Sequence, residues 1–295
     1  MGEAAGAIPA PPGAQRDPAA FTIGVDIRSI RAEPGWWLES AVRLDEAGYA
    51  GLWCWDHFMG RGDLTVPVVE SWTILSMAAA RTRRVTVAPF VANVMNRHPA
   101  LLARMASTLH IASGGRLILG MGIGGAPREH AAYGIRFPEA PERVHHLEEA
   151  VATIRALWTG GPVTRASDLY PLENAAAFPV PDPAPRILIG GESKNGARLA
   201  ARIGEGWSTF DDNFSRHLPL YLEALDAEGR RRDDQLVLCG FQGDWLADED
   251  VAETEWVREP RAARERWAEA GADGAVVLAR STSDVDALVE AVERW

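Results

Sequence analysis

The stretch that decides the fold is residues 97–143, RHPALLARMASTLHIASGGRLILGMGIGGAPREHAAYGIRFPEAPER. Its pattern predicts a helix, a Gly-Gly turn, a strand over residues 116–121 and a glycine-bearing loop that leads into another helix. Glycines at such a junction let backbone N–H groups approach an anion at the start of the next helix. A strand that ends in this way predicts a phosphate cradle and therefore a nucleotide-like cofactor. A glycine pair alone is a weak signal, because it also serves ordinary turns.

Outward from this stretch, the chain alternates predicted strands and helices. Most of the strands are near-continuous apolar runs, which is typical of strands covered on both faces. The eight predicted strands begin at Phe21, Gly51, Arg84, Arg116, Arg186, Gly206, Gln235 and Gly274. Eight strand–helix units in about 275 residues predict an α/β fold, a (β/α)8 TIM barrel. An open doubly wound sheet is the alternative, but its glycine fingerprint near the first strand is absent.

The domain organisation follows from composition. Residues 1–20 are rich in Ala, Pro and Gly and are predicted to be a disordered tail. Residues 21–295 are predicted to form a single barrel domain, in which Gly48 and Gly271 end helices. The connection over residues 159–185 contains six prolines and is too long for a simple loop. We therefore predict an insertion there, after the fourth helix.

Charge and cysteine usage exclude several classes of protein. The net charge of −11 argues against a nucleic-acid partner. We find no signal-peptide pattern and no apolar run near the roughly 20 residues that cross a bilayer, so we expect no membrane partner and a cytoplasmic location. Cys54 and Cys239 lie in apolar runs and are predicted to be buried free thiols rather than a disulfide or metal pair. We predict no metal site.

A barrel carries its active site at the carboxyl ends of its strands. This rule selects a short set of candidates before any family is considered. The set is Asp26, Asp56-His57, Ala88-Pro89-Phe90, Gly122-Ile123-Gly124-Gly125, Gly190 to Asn195, Asp211 to Asn213 and Gln242 to Trp245. Trp245 and Trp256 either line a substrate pocket or anchor the loop after the seventh strand.

His57 is the candidate for proton transfer, because histidine titrates near neutrality. Its alternative is a histidine that only caps the strand or bonds to backbone. Ala88-Pro89 interrupts the third strand, where proline predicts a bulge. The Ala88–Pro89 bond there is either cis or an ordinary trans bond. His98, His110, His130, His145, His146 and His217 are predicted to be structural or exposed.

The same residues resemble the luciferase-like flavin and deazaflavin oxidoreductases. The shared features are Arg97-His98-Pro99, the Ser-Gly-Gly-Arg-Leu run at residues 113–117, the Gly-x-Gly at residue 122, Glu129, Tyr133-Gly134 and Arg143. The resemblance covers roughly residues 21–290 and implies a barrel whose insertion lies over its mouth. It also implies a cis peptide bond, non-prolyl in the family, behind the flavin ring at Ala88-Pro89-Phe90.

The resemblance further implies a site. Phosphate would be bound by Gly122, Ile123, Gly124 and Gly125 and by Gly190, Gly191, Glu192 and Asn195. His57 would move a proton beside the cofactor, steered by Asp56. The Asp-His-Phe run at residue 56 favours the branch that uses deazaflavin F420 for hydride transfer with a small organic substrate. The alternative is the FMN-dependent monooxygenase branch, which depends on a separate reductase.

Other inferences qualify this reading. Gly124-Gly125 stand where the glucose-6-phosphate dehydrogenase subgroup has a glutamate, so we do not expect that sugar-phosphate activity. We expect a homodimer. A deazaflavin-binding paralogue without turnover stays an alternative. A non-flavin hydrolase would need metal ligands at the strand ends, where only His57 is a good candidate.

Overall fold

The structure is a computed structural model that describes residues 15–60, 63, 65–240 and 250–295. Most of the predicted tail, residues 1–14, lies outside the described residues. Residues 15–20 of that predicted tail are among the described residues. The Arg16 side chain forms an ion pair with Asp233, and the backbone N–H of Arg16 donates to the Ala268 carbonyl. Pro18–Ala20 form a short 3-10 helix.

Strands and helices alternate along the described chain. The strands are β1 (Thr22–Ile27), β2 (Gly51–Cys54), β3 (Thr86–Pro89), β4 (Ala92–Asn93), β5 (Ile118–Gly122), β6 (Val163–Arg165), β7 (Leu172–Ala175), β8 (Arg186–Gly190), β9 (Gly206–Phe210), β10 (Leu236–Gly240) and β11 (Gly274–Ala279). The helices are α1 (Pro34–Ala47), α2 (Ser71–Arg81), α3 (Pro99–Ala112), α4 (Pro127–Ala132), α5 (Ala140–Leu157), α6 (Lys194–Ile203), α7 (Asp211–Ala227), α8 (Glu255–Arg258), α9 (Pro260–Glu269) and α10 (Thr282–Ala291).

All eight predicted strands are present. Three further strands were not predicted from the sequence: the two-residue β4 and the antiparallel pair β6 and β7. This hairpin lies within the predicted insertion, residues 159–185, and follows α5, the helix after the fourth predicted strand. Gly48 and Gly271 end their helices as predicted, with φ values of +101° and +98°.

The described chain divides into two compact units, and the single domain predicted for residues 21–295 stays a prediction. The first unit comprises the residues up to Ile27, Ser40–Leu52 and Leu188–Trp295. Its strands pair in parallel, β1 with β11, β11 with β10, β10 with β9, and β9 with β8. Trp207 is fully buried in its core and stacks on Phe214 and Tyr221.

The second unit comprises Arg28–Glu39 and Trp53–Ile187. In it β4 pairs in parallel with β5, and Val87 of β3 bridges to Leu117 just before β5. Helices α3 and α5 pack together, and the Trp158 indole that follows α5 donates to the Ala103 carbonyl of α3.

Both cysteines are buried free thiols, as predicted. Within the described ranges, no helix combines the length and the apolar character that a bilayer crossing requires. Over those same residues, no group of three or more His, Cys, Asp or Glu side chains is placed to hold a metal ion.

Candidate active site

Asp56 lies just beyond β2 and organises the turn after β4. Its buried carboxylate accepts two hydrogen bonds from the Arg97 guanidinium, at 2.7 and 3.0 Å. It also accepts from the Asn93 N–H at 3.0 Å and from Asn96 Nδ2 at 3.1 Å. The expectation that Asp56 steers His57 is therefore wrong, because its oxygens are directed to Arg97 and to this turn.

Removing the partner of Asp56 should be costly to the fold. The Asp56 side chain is 1% exposed and that of Arg97 is 11% exposed. We expect Arg97→Ala to lower the free energy of unfolding by about 3–5 kcal/mol, because a buried carboxylate would lose its counter-charge. Denaturant unfolding measures the loss. The exposed Arg81→Ala variant of α2 is the control, and an equal, small effect of both would contradict the assignment.

His57 is paired with Glu129 instead. His57 Nδ1 lies 3.1 Å from Glu129 Oε2, which also accepts from the Met59 N–H at 3.3 Å. The His57 side chain is 38% exposed, whereas that of Glu129 is 3% exposed. The pair therefore holds an accessible imidazole against a buried carboxylate.

The ionisation of Glu129 defines the role of each ring nitrogen. Burial alone would raise the pKa of Glu129. The hydrogen bond and charge of His57 and the N–H groups of Phe58 and Met59 outweigh burial, so the pKa lies below its ordinary value. Glu129 is therefore a carboxylate at neutral pH and accepts the proton on His57 Nδ1. His57 Nε2 is therefore the ring nitrogen that can exchange a proton with a substrate.

The third predicted strand is interrupted at Pro89, as the proline indicated. Strand β3 ends at Pro89, and pairing resumes at Ala92 of β4. The cis bond, however, is the non-prolyl Phe90–Val91 bond, and the Ala88–Pro89 bond is not cis. The Phe90 N–H donates to the Cys54 carbonyl at the end of β2.

The Gly122–Gly125 loop follows β5 in the second unit. Gly124 has a φ of +72°. A Cβ there would lie only 2.5 Å from Asn93 Oδ1 and 2.6 Å from Asn93 Cγ, whereas a Cβ on Gly125 would meet no atom within 4 Å. The Arg143 guanidinium donates to the Ile123 carbonyl at 3.0 Å. The loop is thus held from two sides and open at Gly125.

The second predicted phosphate loop belongs to the first unit. Gly191 packs so closely on Gly196 that a Cβ at 191 would lie 2.7 Å from the Gly196 carbonyl carbon. Ser193 caps α6 by accepting from the Gly196 N–H. Glu192 Oε2 accepts from Thr209 Oγ1 and from the Phe210 N–H, both at 2.9 Å. The Glu192 carboxylate is therefore directed to β9, and Asn195 is exposed on the first turn of α6.

Two other acidic candidates at strand ends have shifted ionisation. Burial, helped by the charges of Asp212 and Glu255, raises the pKa of Asp211 to about 7. Asp26 is fully buried, and burial raises its pKa well above the ordinary value. Among the described residues, neither oxygen of the Asp26 side chain has a hydrogen-bond partner. Asp26 is thus closed to solvent.

Asp26 should make stability depend on pH. With a raised pKa the folded protein keeps a proton that the unfolded chain releases, so stability is full below the unfolded pKa and falls as pH rises. The fall is about 1.4 kcal/mol per pH unit until the folded pKa is reached. We expect Asp26→Asn to remove the part of this slope that Asp26 causes and to leave the part due to Asp211, as measured by unfolding between pH 4 and 8. The exposed Asp234→Asn should leave the slope unchanged, and a wild-type slope in Asp26→Asn would contradict the assignment.

Glu129 was noticed from the sequence only as a shared family residue, with no role assigned to it. His130 was expected to be structural or exposed, and its surroundings fit the first of these. His130 is fully buried and hydrogen-bonded to Asn93. The signal that could have found Glu129 is its place on the short helix α4 directly after the glycine loop.

The remaining tryptophan candidates divide. Gln242 to Trp245 lie outside the described residues. Trp256 is buried and stacks on Phe21 with ring centroids 6.0 Å apart. Trp256 is therefore an anchor of this segment rather than a residue that lines a pocket.

Comparison with known proteins identifies relatives of this chain and solved structures with the same fold. Two F420-dependent glucose-6-phosphate dehydrogenases, from Microbacterium testaceum and Kineococcus radiotolerans, are each 32% identical, over 78% and 70% of this chain and 70% and 63% of their own lengths. The second alignment thus spans less than two thirds of that relative.

A solved F420-dependent secondary alcohol dehydrogenase, in complex with an F420-acetone adduct, is 21% identical with a TM-score of 0.78. The alignment covers 93% of this chain and 98% of that chain. This likeness confirms the predicted fold, an α/β (β/α)8 TIM barrel with an insertion after the fourth helix. The model of the luciferase-like monooxygenase family matches residues 19–287. Because the family match spans most of the length of this chain, the chain belongs to the luciferase-like monooxygenase family.

Proposed function

We propose that this protein is an F420-dependent oxidoreductase that transfers hydride between the cofactor and a small organic substrate. The observation that carries the proposal is the His57–Glu129 pair, an accessible imidazole held by a buried carboxylate at the end of β2. Hydride chemistry asks the protein chiefly for positioning and proton management, which this pair supplies. The F420-dependent relatives support the same cofactor.

When bound, the deazaflavin supplies the hydride chemistry. His57 Nε2 would give a proton to the substrate, or take one from it, as hydride adds or leaves. Glu129 keeps Nδ1 protonated and the ring oriented. Asp56 contributes indirectly, because Asp56 and Arg97 together hold the turn after β4 in place.

The glycine positions fit a bound phosphate group. Gly124 leaves room only for a hydrogen, and Gly125 opens on free space. We propose that Gly122, Ile123, Gly124 and Gly125 contact the cofactor phosphate and that Ala88, Pro89 and Phe90 support its ring. In the first unit, Gly190, Gly191, Glu192 and Asn195 stay predicted cofactor contacts.

Separate titrations with F420 and FMN, followed by fluorescence, test the cofactor. We expect saturable binding of F420 at lower concentration than FMN. Tighter binding of FMN, with substrate oxygenation when reduced FMN is supplied, would favour the monooxygenase branch instead. Saturable F420 binding without redox exchange against a panel of alcohols and ketones would favour the non-catalytic paralogue.

Glucose 6-phosphate belongs in the same panel. Gly124-Gly125 replace the glutamate expected in that subgroup, so we predict that a neutral alcohol or ketone is a better substrate. The assay compares kcat/KM for both with F420.

Glu129 should act as a positioning residue. We expect Glu129→Gln to lower turnover by about ten- to hundredfold, less than the loss of His57 itself, because the uncharged amide holds the imidazole less firmly. Steady-state kinetics with F420 measure the change. The exposed Glu173→Gln is the control, and wild-type turnover of a folded Glu129→Gln would contradict this role.

We further propose a cytoplasmic homodimer. Helices α2 and α3 leave the large apolar side chains of Met77, Leu101 and Ile111 exposed, and a dimer interface formed by these helices would remove them from water. Sedimentation should give a dimer for the wild type and a monomer for a Leu101→Arg, Ile111→Arg double variant. A wild-type monomer would contradict the proposal.

A further inference from the structure

The Gly122–Gly125 loop rests on a buried polar cluster that the mechanism does not use. His130 on α4 has no exposed surface. Its Nδ1 lies 2.8 Å from the Ala126 carbonyl oxygen, and its Nε2 lies 3.0 Å from Asn93 Nδ2. The Phe137 ring covers the imidazole with centroids 4.4 Å apart. The contacts with Ala126, Asn93 and Phe137 therefore hold the imidazole ring in one orientation.

The hydrogen-bond partners place this ring between two side-chain amides. A carbonyl oxygen only accepts, so His130 Nδ1 carries a proton towards Ala126. His130 Nε2 lies 3.0 Å from both Asn93 Nδ2 and Asn96 Oδ1. The imidazole therefore packs directly against the Asn93 amide.

The other contacts of Asn93 tie it to the surrounding backbone. Its Oδ1 accepts from the Met95 N–H, and its own N–H donates to Asp56. The side-chain amide thus has a single orientation, with its face against Gly124. This amide fills the space that a Cβ at Gly124 would need, and the whole Asn93 residue is 7% exposed.

We propose that Asn93 and His130 are positioning residues that clamp the Gly122–Gly125 loop from behind and so hold its backbone ready for the cofactor phosphate. Asn93 is the contact surface, and His130 holds the amide in orientation. The effect on cofactor affinity rests on the proposed function, but the effect on the loop itself does not.

A double-mutant cycle between positions 93 and 124 tests the contact. Gly124→Ala should weaken F420 binding strongly in the wild type but about tenfold less in the Asn93→Ala background, since that variant removes the atoms that an added Cβ would meet. Gly125→Ala is the matched control. It should show no coupling to Asn93→Ala, because a Cβ at Gly125 meets no atom. If Asn93→Ala does not fold, Asn93→Ser opens the same space and keeps an acceptor for Met95.

Amide hydrogen exchange of the cofactor-free protein gives the second readout. We expect Asn93→Ala to speed exchange over residues 122–126 by about tenfold at unchanged global stability. The exposed His145→Ala should have no such effect. Additive effects in the cycle, or unchanged exchange in the loop, would overturn the clamp even if F420 binds. Failure of the wild type to bind F420, with faster exchange in Asn93→Ala, would overturn the proposed function and leave the clamp supported.

Discussion

His57→Ala should lower turnover with F420 by about 10²- to 10⁴-fold, the usual worth of proton transfer by a positioned side chain. The cofactor should still bind, because the described hydrogen bond of His57 is to Glu129 and not to the Gly122–Gly125 loop. Steady-state kinetics and F420 fluorescence on the same preparation measure both effects.

Stability separates this role from a structural one. His57 is partly exposed, but its loss removes a partner of the buried Glu129 carboxylate, so we expect a lower melting temperature and compare turnover per folded molecule. His145→Ala is a suitable control, since His145 is also exposed and paired with a carboxylate, Asp168. A stable His57→Ala enzyme with near-normal turnover would refute the catalytic role. The cofactor assignment would then rest on the glycine loops alone.

Gly124→Val should weaken F420 binding by about a hundredfold or more. A β-branched residue is strained at a φ of +72°, and its Cβ would overlap the Asn93 amide. Backbone strain and overpacking each cost about 1–3 kcal/mol, so together they cost about 2–6 kcal/mol, a range that includes the roughly 2.7 kcal/mol of a hundredfold change. Fluorescence titration measures the affinity.

In Gly124→Val we expect the Gly122–Gly125 loop to move and the protein to stay folded. Gly125 opens on free space, so the backbone can shift outward. A typical domain has about 5–15 kcal/mol of stability, which exceeds the strain. Gly125→Ala is the control, because a Cβ there meets no protein atom. Unchanged affinity in a folded Gly124→Val would exclude this loop from the cofactor site.

Local sequence features predicted the elements well. The apolar runs that begin at Phe21 and Gly274 became β1 and β11, because continuous apolar strands can be buried on both faces. The hairpin of β6 and β7 was missed, since its strands are short and largely exposed and lack an apolar run.

The site was predicted less completely. The strand-end rule located His57 and the Gly122–Gly125 loop, because a barrel of parallel strands places these ends together whatever the side chains are. Adjacency in sequence suggested Asp56 as the partner of His57. The structure assigns that role to Glu129, 72 residues away in the chain, because consecutive residues at a strand end point in different directions.

By itself, therefore, the sequence determined the fold class, the strand ends and the residue types that can move a proton or approach a phosphate. These depend on patterns of a few neighbouring residues and on backbone freedom at glycine. Only the tertiary structure decided which carboxylate holds His57, that Asp56 binds Arg97, that the cis bond is Phe90–Val91, and that Asn93 and His130 lie behind Gly124. Apart from the cis bond, which joins neighbouring residues, each of these contacts joins segments far apart in the chain. Their hydrogen-bond geometry depends on where the folded backbone brings those segments, and no local sequence pattern records that.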